Sequence, residues 1–281
     1  MTKMRNNFFQ VRLISRARFQ AAGLMLISAA ICNATAHAAT PAAAPAEAES
    51  TLSAKLSYDR NEGKYGTDAT SHDTSTTLTL GYDTENYAFD LVLPYVAQTG
   101  PGRRISLAGR RLVVLVEPGR TAMGTGDVTL GATRYLLNEE SHGFDLDLGA
   151  TVKFGTASAS KGLGTGKDDI ALQASLGRSL GAASFTLTGG YTFVGKPEGQ
   201  ELRNSAFATF DASWKLARAI SAGATYSYGA PSSAGSASSR DITYYLSYKF
   251  SRKSKLEFSV IDGHSTQSPD RGYGLTYSAN F

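Results

Sequence analysis

The stretch Phe144-Asp145-Leu146-Asp147-Leu148-Gly149-Ala150-Thr151-Val152-Lys153-Phe154 decides the fold. Every second residue is apolar, and the residues between are charged, polar or glycine. Successive side chains of a strand point to opposite faces, so this period of two predicts a strand with one greasy and one wet side. The same reading applies to Leu52, Ala54, Leu56 and Tyr58, to Leu78, Leu80 and Tyr82, and to Phe89, Leu91, Leu93 and Tyr95. It applies again to Tyr273, Leu275, Tyr277, Ala279 and Phe281. Further strands are expected near 127–137, 168–179, 184–194, 204–215, 220–229, 241–251 and 255–263.

About twelve strands of roughly ten residues follow, long for a soluble sheet and matched to a tilted strand crossing a bilayer. The connections alternate. They are long near 60–75, 96–126, 155–167, 195–203, 230–240 and 263–271, and short at 84–86, 138–143, 180–183, 216–219 and 251–254. Short turns on one side and long loops on the other are the build of an outer-membrane barrel. The expected fold is therefore all-β: a transmembrane antiparallel up-and-down barrel over 51–281, apolar toward lipid and polar toward the lumen. Tyr82, Tyr95, Phe144, Phe154, Phe185, Phe193, Trp214, Tyr248, Phe250, Tyr273 and Phe281 fall near strand ends, where interface girdles sit. A soluble secreted sandwich would also alternate, but it would explain neither the strand lengths nor the loop asymmetry.

Residues 1–38 carry Lys3, Arg5, Arg12, Arg16 and Arg18 and no acid. An apolar stretch from Ala21 to Cys32 follows, closing on Ala36-His37-Ala38. This reads as a cleaved secretory signal peptide. Ile31 before Cys32 argues against a lipoprotein site, and 39–50 reads as an Ala/Pro-rich linker. The whole chain has a formal charge of +4. Without the five basic residues of the leader, acids exceed bases by one, so no bulk electrostatic case for nucleic acid remains. The only cysteine lies in the leader, which excludes disulfides, thiol catalysis and Cys-ligated metal from the rest. No apolar run of 18 residues supports a membrane-spanning helix.

The ending Tyr277-Ser278-Ala279-Asn280-Phe281 looks like the C-terminal signal that bacterial barrel-insertion machinery reads. The chain also resembles the outer-membrane transporter family named for the MetA pathway of phenol degradation. The matching stretches are Leu93-Pro94-Tyr95-Val96, Gly124-Thr125-Gly126-Asp127-Val128, the glycines Gly162, Gly164 and Gly166, and Asp169. Lys153-Phe154-Gly155-Thr156 stands where that family has a Lys-x-Pro-Thr-Gly pattern. The resemblance implies an outer-membrane protein passing small hydrophobic or aromatic compounds.

Gly166-Lys167 is no phosphate loop: Lys161 stands where its first glycine belongs, and Asp168 where it needs a hydroxyl. No cofactor or metal motif emerges, and the glycines read as turn formers. The loop 96–126 carries Arg103, Arg104, Arg110, Arg111 and Arg120 against Glu117 alone. Either it folds inward as a constriction, with Arg110 and Arg111 setting ion preference, or it stays outside and meets lipopolysaccharide phosphates. The expected lumen face holds Lys55, Asp90, Asp145, Asp147, Lys153, Asp169, Asp211, Lys215 and Lys249. Charges of both signs in a twelve-stranded interior suit either a narrow pore or a plug. Beyond the leader the histidines are His72, His142 and His264, in loops or turns or at a strand end. A lipase- or protease-type site is therefore the weaker reading, and a structural or adhesive barrel is a third. The sequence favours a non-enzymatic channel for small solutes in contact with outer-membrane lipid.

Overall fold

In the computed structural model, the alternating segments form one continuous antiparallel ladder. Residues 50–281 are described, apart from 67, 101, 108–109, 116–120, 199–200 and 234. The leader and most of the linker lie outside the described residues. The strands are β1 (Thr51–Gly63), β2 (Ser71–Asp83), β3 (Tyr87–Thr99), β4 (Gly102–Leu107), β5 (Arg110–Leu115), β6 (Thr121–Thr125), β7 (Thr129–Leu137) and β8 (Asp145–Lys153). They continue as β9 (Asp169–Leu180), β10 (Ala183–Phe193), β11 (Ser205–Lys215), β12 (Ile220–Gly229), β13 (Ser239–Lys249), β14 (Ser254–Gly263) and β15 (Arg271–Asn280).

Neighbours in sequence pair antiparallel around the ring. β1 meets β15 from Ser53↔Asn280 to Glu62↔Arg271, and the sheet closes. One further bond stitches the seam, from Phe281 N–H to the Leu52 carbonyl at 2.8 Å, and on the other side of β15 Asn280 N–H donates to the Lys253 carbonyl, also at 2.8 Å. β6 and β7 both pair with β3 and together make one stave, so the barrel has twelve. Closure leaves no unpaired strand edge, which hydrocarbon would not tolerate.

Three details differ from the sequence expectation. β1 and β2 run on to Gly63 and from Ser71, so their connection is shorter than 60–75. In the segment 96–126, β3 continues to Thr99 and β6 starts at Thr121, while β4 and β5 pair only with each other, outside the barrel sheet. The expected strand 127–137 is interrupted: Gly126–Val128 bulge opposite Leu93 and Pro94, where Pro94 lacks an N–H to donate. The connection after β7 holds a short helix, α1 (Glu139–His142). It is capped by the Asn138 side chain, which accepts from Ser141 N–H, and by left-handed Gly143 at φ 78°.

The two faces separate sharply. Outward Leu172, Leu187 and Phe258 are 49%, 52% and 49% exposed, while inward Thr151 is 1% exposed. Each outward side chain contributes about 1.5–3 kcal/mol once covered by acyl chains rather than water. The outward surface is thus a lipid-contacting belt. Aromatics cluster toward its rims: Phe185 edges onto Trp214 at 6.0 Å, Tyr248 onto Phe250 at 5.1 Å and Tyr191 onto Phe193 at 5.2 Å.

Candidate functional site

The inner wall is built by strand parity. Lys55 on β1, Asp90 on β3, Asp145, Asp147 and Lys153 on β8, Asp169 on β9, Asp211 and Lys215 on β11 and Lys249 on β13 all take inward positions. Lys153 and Asp169 sit at the long-loop end, and the others sit closer to the short turns. Arg110 and Arg111 open β5, opposite Leu107 and Ser106, in the hairpin outside the barrel sheet.

Lys153 is the hub of the long-loop mouth. Its Nζ lies 3.0 Å from Asp127 Oδ2 and 3.0 Å from Asp169 Oδ2, and the three side chains are 1%, 2% and 0% exposed. Asp127 precedes β7, so the hub ties three neighbouring staves together. It also pins the loop 154–168: Ala157 N–H donates to Asp127 Oδ1 at 2.9 Å, Val128 N–H to Thr156 Oγ1 at 2.9 Å, and Gly155 N–H to Asp168 Oδ1 at 2.8 Å. Gly164 must be glycine here, because a Cβ would come within 2.8 Å of Asp127 Oδ1. The pinned loop lays Leu163 against inward Val96, with Ala157 and Ala122 beside it. The segment 154–168 therefore folds onto the inner wall; the sequence did not indicate this, and for 96–126 it left both an inward and an outer placement open.

A second network lies deeper. The Tyr245 hydroxyl reaches across Gly223 on β12 to donate to Asp211, with oxygens at 3.1 and 3.2 Å, and Thr225 Oγ1 donates to the same carboxylate at 2.7 Å. Next to it Glu257 Oε2 accepts from Ser247 Oγ at 2.6 Å and from Lys255 Nζ at 3.1 Å. Lys249 stands directly opposite Lys255 across the β13–β14 ladder. Like charges facing each other in this way are unfavourable, and Glu257 offsets the pair. Asp145 Oδ1 takes the Glu139 N–H of α1 at 2.7 Å. β3 contrasts with these walls beyond Asp90: its inward Val92, Pro94 and Val96 form an apolar file ending under Leu163.

The family model described as "Putative MetA-pathway of phenol degradation" matches residues 57–281. The chain belongs to this family. Among solved structures it is similar to an outer membrane channel from Pseudomonas putida F1, at 16% identity and a TM-score of 0.62, covering 85% of this chain and 97% of that one. It is also similar to the KdgM porin, at 11% identity and a TM-score of 0.51, covering 82% and 99% respectively. No curated protein matches it. At such identities the likeness is one of fold, and it places this phenol-degradation family member among bacterial outer-membrane barrels.

Several inner-wall residues of this family member escaped the sequence reading: Asp127, Thr165, Leu163, Thr225, Tyr245, Lys255 and Glu257. Parity alone would have found four of them: Thr225 alternates with outward Tyr226 and Tyr228. Tyr245 shares a face with Thr243 and Ser247, and Lys255 and Glu257 share one with Ser259. The role of Leu163 had no local signal. The rim histidines lie beside carboxylates, His72 Nδ1 at 3.8 Å from Glu62 and His264 Nε2 at 3.6 Å from Asp262, and all four side chains are about half exposed. Among the described residues neither histidine is bonded to a serine hydroxyl.

Proposed function

We propose that this chain is an outer-membrane channel through which small solutes, hydrophobic or aromatic compounds among them, pass passively. The observation that carries the reading is the mixed inner wall. A file of apolar side chains on β3 gives such solutes a surface to move along, while the charged and hydroxylated remainder keeps water and ions in the bore. Family membership and the two barrels named as a channel and a porin support it. In this reading the lumen charges set selectivity. Asp59, Asp73, Asp127, Asp241 and Glu257 join the acidic side of the wall and Lys255 joins the basic side, so among the described inward residues carboxylates outnumber lysines.

The test is single-channel conductance of the refolded chain in a planar bilayer under a salt gradient. Stable, cation-preferring openings are expected, and a folded but silent barrel would overturn the proposal. If the β4–β5 hairpin reaches the bore, Arg110→Gln with Arg111→Gln strengthens the cation preference; an unchanged reversal potential puts those arginines outside it. We further infer that residues 1–38 are removed on export, that the strand ending in Phe281 is read by the insertion machinery, and that rim arginines meet lipopolysaccharide. Fractionating cells that express the chain with and without 1–38 tests the first of these.

A further inference from the structure

The outward rim at the long-loop end carries arginines on one side of the ring. Arg60 on β1, Arg240 on β13 and Arg271 on β15 are exposed, and each alternates with a buried inward neighbour: Asn61, Asp241 and Gly272. Strands β8 to β11 reach the same end with Val152, Ile170, Phe193 and Ala206 as their last outward residues, none of them charged. Among the described residues, none of the three guanidinium groups makes a hydrogen bond or ion pair. Two carboxylates stand between them, Glu62 and Asp262, both in the ladder row of Arg271. Each is turned to a histidine instead, Glu62 Oε2 to His72 at 3.8 Å and Asp262 Oδ2 to His264 at 3.6 Å. The guanidinium donors stay open.

The ladder sets the three arginines at one height. Rows of partners run perpendicular to the strands. With strands tilted by about 40°, a row therefore changes height by about 3 Å per stave, and two residues along a strand change it by about 5 Å. One row runs from Lys249, beside a short turn, through Lys255, Ser278, Lys55 and Thr79 to Val92 well inside β3, so rows climb from β13 toward β3. Arg271 stands two staves up this climb from Arg240 and one outward row lower, because Ile242, Asp262 and Arg271 share a row. Arg60 stands one stave further and one outward row lower again, opposite Tyr273. The steps cancel to within about 2 Å, and neighbouring arginines fall about 12 Å and about 8 Å apart in the membrane plane. Tyrosines accompany the arc: Tyr228 opposite Arg240, Tyr273 below Arg271 and Tyr58 below Arg60, at 39%, 48% and 49% exposure.

We propose that this arc is a seat for lipid A, the bisphosphorylated anchor of lipopolysaccharide. Long loops mark the external side of such a barrel, and the lipid of that leaflet is a disaccharide with two phosphates and several acyl chains. Guanidinium groups with open donors take phosphate oxygens two at a time. The tyrosines hold the interface, hydroxyl toward the sugar and ring toward the chains, and exposed Leu56, Leu246 and Leu275 continue the surface beneath them. An arc of this length matches phosphates at the two ends of a disaccharide, whereas a glycerophospholipid brings one phosphate to it. The inference makes the lipopolysaccharide contact inferred above specific to β13, β15 and β1, and it does not depend on conduction.

The experiment titrates the full chain, folded in detergent, with lipid A, with lipid A stripped of both phosphates, and with phosphatidylglycerol. Bound lipid is counted by native mass spectrometry. Wild type is expected to bind lipid A about tenfold more tightly than either of the others, the worth of one charge-assisted hydrogen bond. Arg60→Gln with Arg271→Gln, and separately Arg240→Gln, should each weaken lipid A binding by about tenfold. Arg178→Gln, an outward arginine at the short-turn end of β9, should leave it unchanged. Equal binding of lipid A and its dephosphorylated form, or equal binding of lipid A by wild type and the double variant, would overturn the proposal. Phosphatidylglycerol binding as tightly as lipid A would overturn it too, leaving only a general affinity for anionic lipid. Should the double variant fail to fold, Arg240→Gln and the wild-type comparison of the three lipids still decide.

Discussion

Replacing Lys153 by Met removes the charge and keeps most of the side-chain volume. In the wild type the ammonium sits 3.0 Å from two carboxylates, and all three groups are almost wholly buried. Removing one partner of such an assembly leaves uncompensated buried charge, which costs about 3–5 kcal/mol. Asp127 retains the Ala157 N–H and Asp169 the Gly195 N–H, at 2.9 and 2.8 Å, and these bonds keep the loss within that range. A triple variant with Asp127→Asn and Asp169→Asn removes the stranded charge as well, so most of the loss should return. Urea unfolding from detergent, followed through the fluorescence of Trp214 and by gel mobility, reads both variants. The single variant is expected to fall about 3–5 kcal/mol below wild type, and the triple variant to recover to within about 2 kcal/mol. A single variant within 1 kcal/mol of wild type, or a triple variant no more stable than the single, would refute the view of Lys153 as a buried electrostatic hub.

Three other outcomes are expected. Leu163→Ala vacates the contact with Val96 and Ala157, costs about 2–3 kcal/mol, and raises single-channel conductance by loosening the inward loop. Tyr245→Phe deprives Asp211 of one of its two hydroxyl donors and lowers stability by about 1.5–3 kcal/mol, read from the urea midpoint. Leu172→Arg puts a charge on the outward belt and destabilises the barrel in vesicles by about 2–4 kcal/mol; a neutral result would contradict the assignment of that face to lipid.

The barrel was legible because lipid on one side and water on the other force a period of two, as in Asp145–Lys153. Legibility failed where that contrast ends. Arg60-Asn61-Glu62 and Ser71-His72-Asp73 are polar on both faces, so nothing in their pattern marked the extension of β1 and β2 beyond the apolar belt. The interruption at Gly126–Val128 depends on Pro94, a residue of the partner strand, and a local pattern does not carry that pairing. The helix α1 had a trace in the sequence, since Asn138 and Gly143 frame it as caps do. Of the candidate site, the charged wall residues followed from strand parity. The hub did not, because Lys153, Asp127 and Asp169 come from three staves and meet only once the ring has closed. The inward lie of the 154–168 loop follows from that hub, so it was equally hidden.

The twelve-stave ring sets how readily the bore can change. Strands spaced about 4.8 Å apart and tilted by about 40° make a cylinder about 24 Å across between backbones. Two facing layers of side chains take up roughly half of that width. Each inward residue therefore confronts the opposite wall with little space between them, and no position is a bystander. A single exchange on the inner face, such as serine for tyrosine, alters the free cross-section by a large fraction, while the outward face and the ladder stay as they were. Outside the buried networks around Lys153 and Asp211, solute preference in such a ring can drift by point substitution while the lipid-facing belt and the ladder are left intact. A wide porin, whose selectivity is set by long internal loops, does not have that freedom.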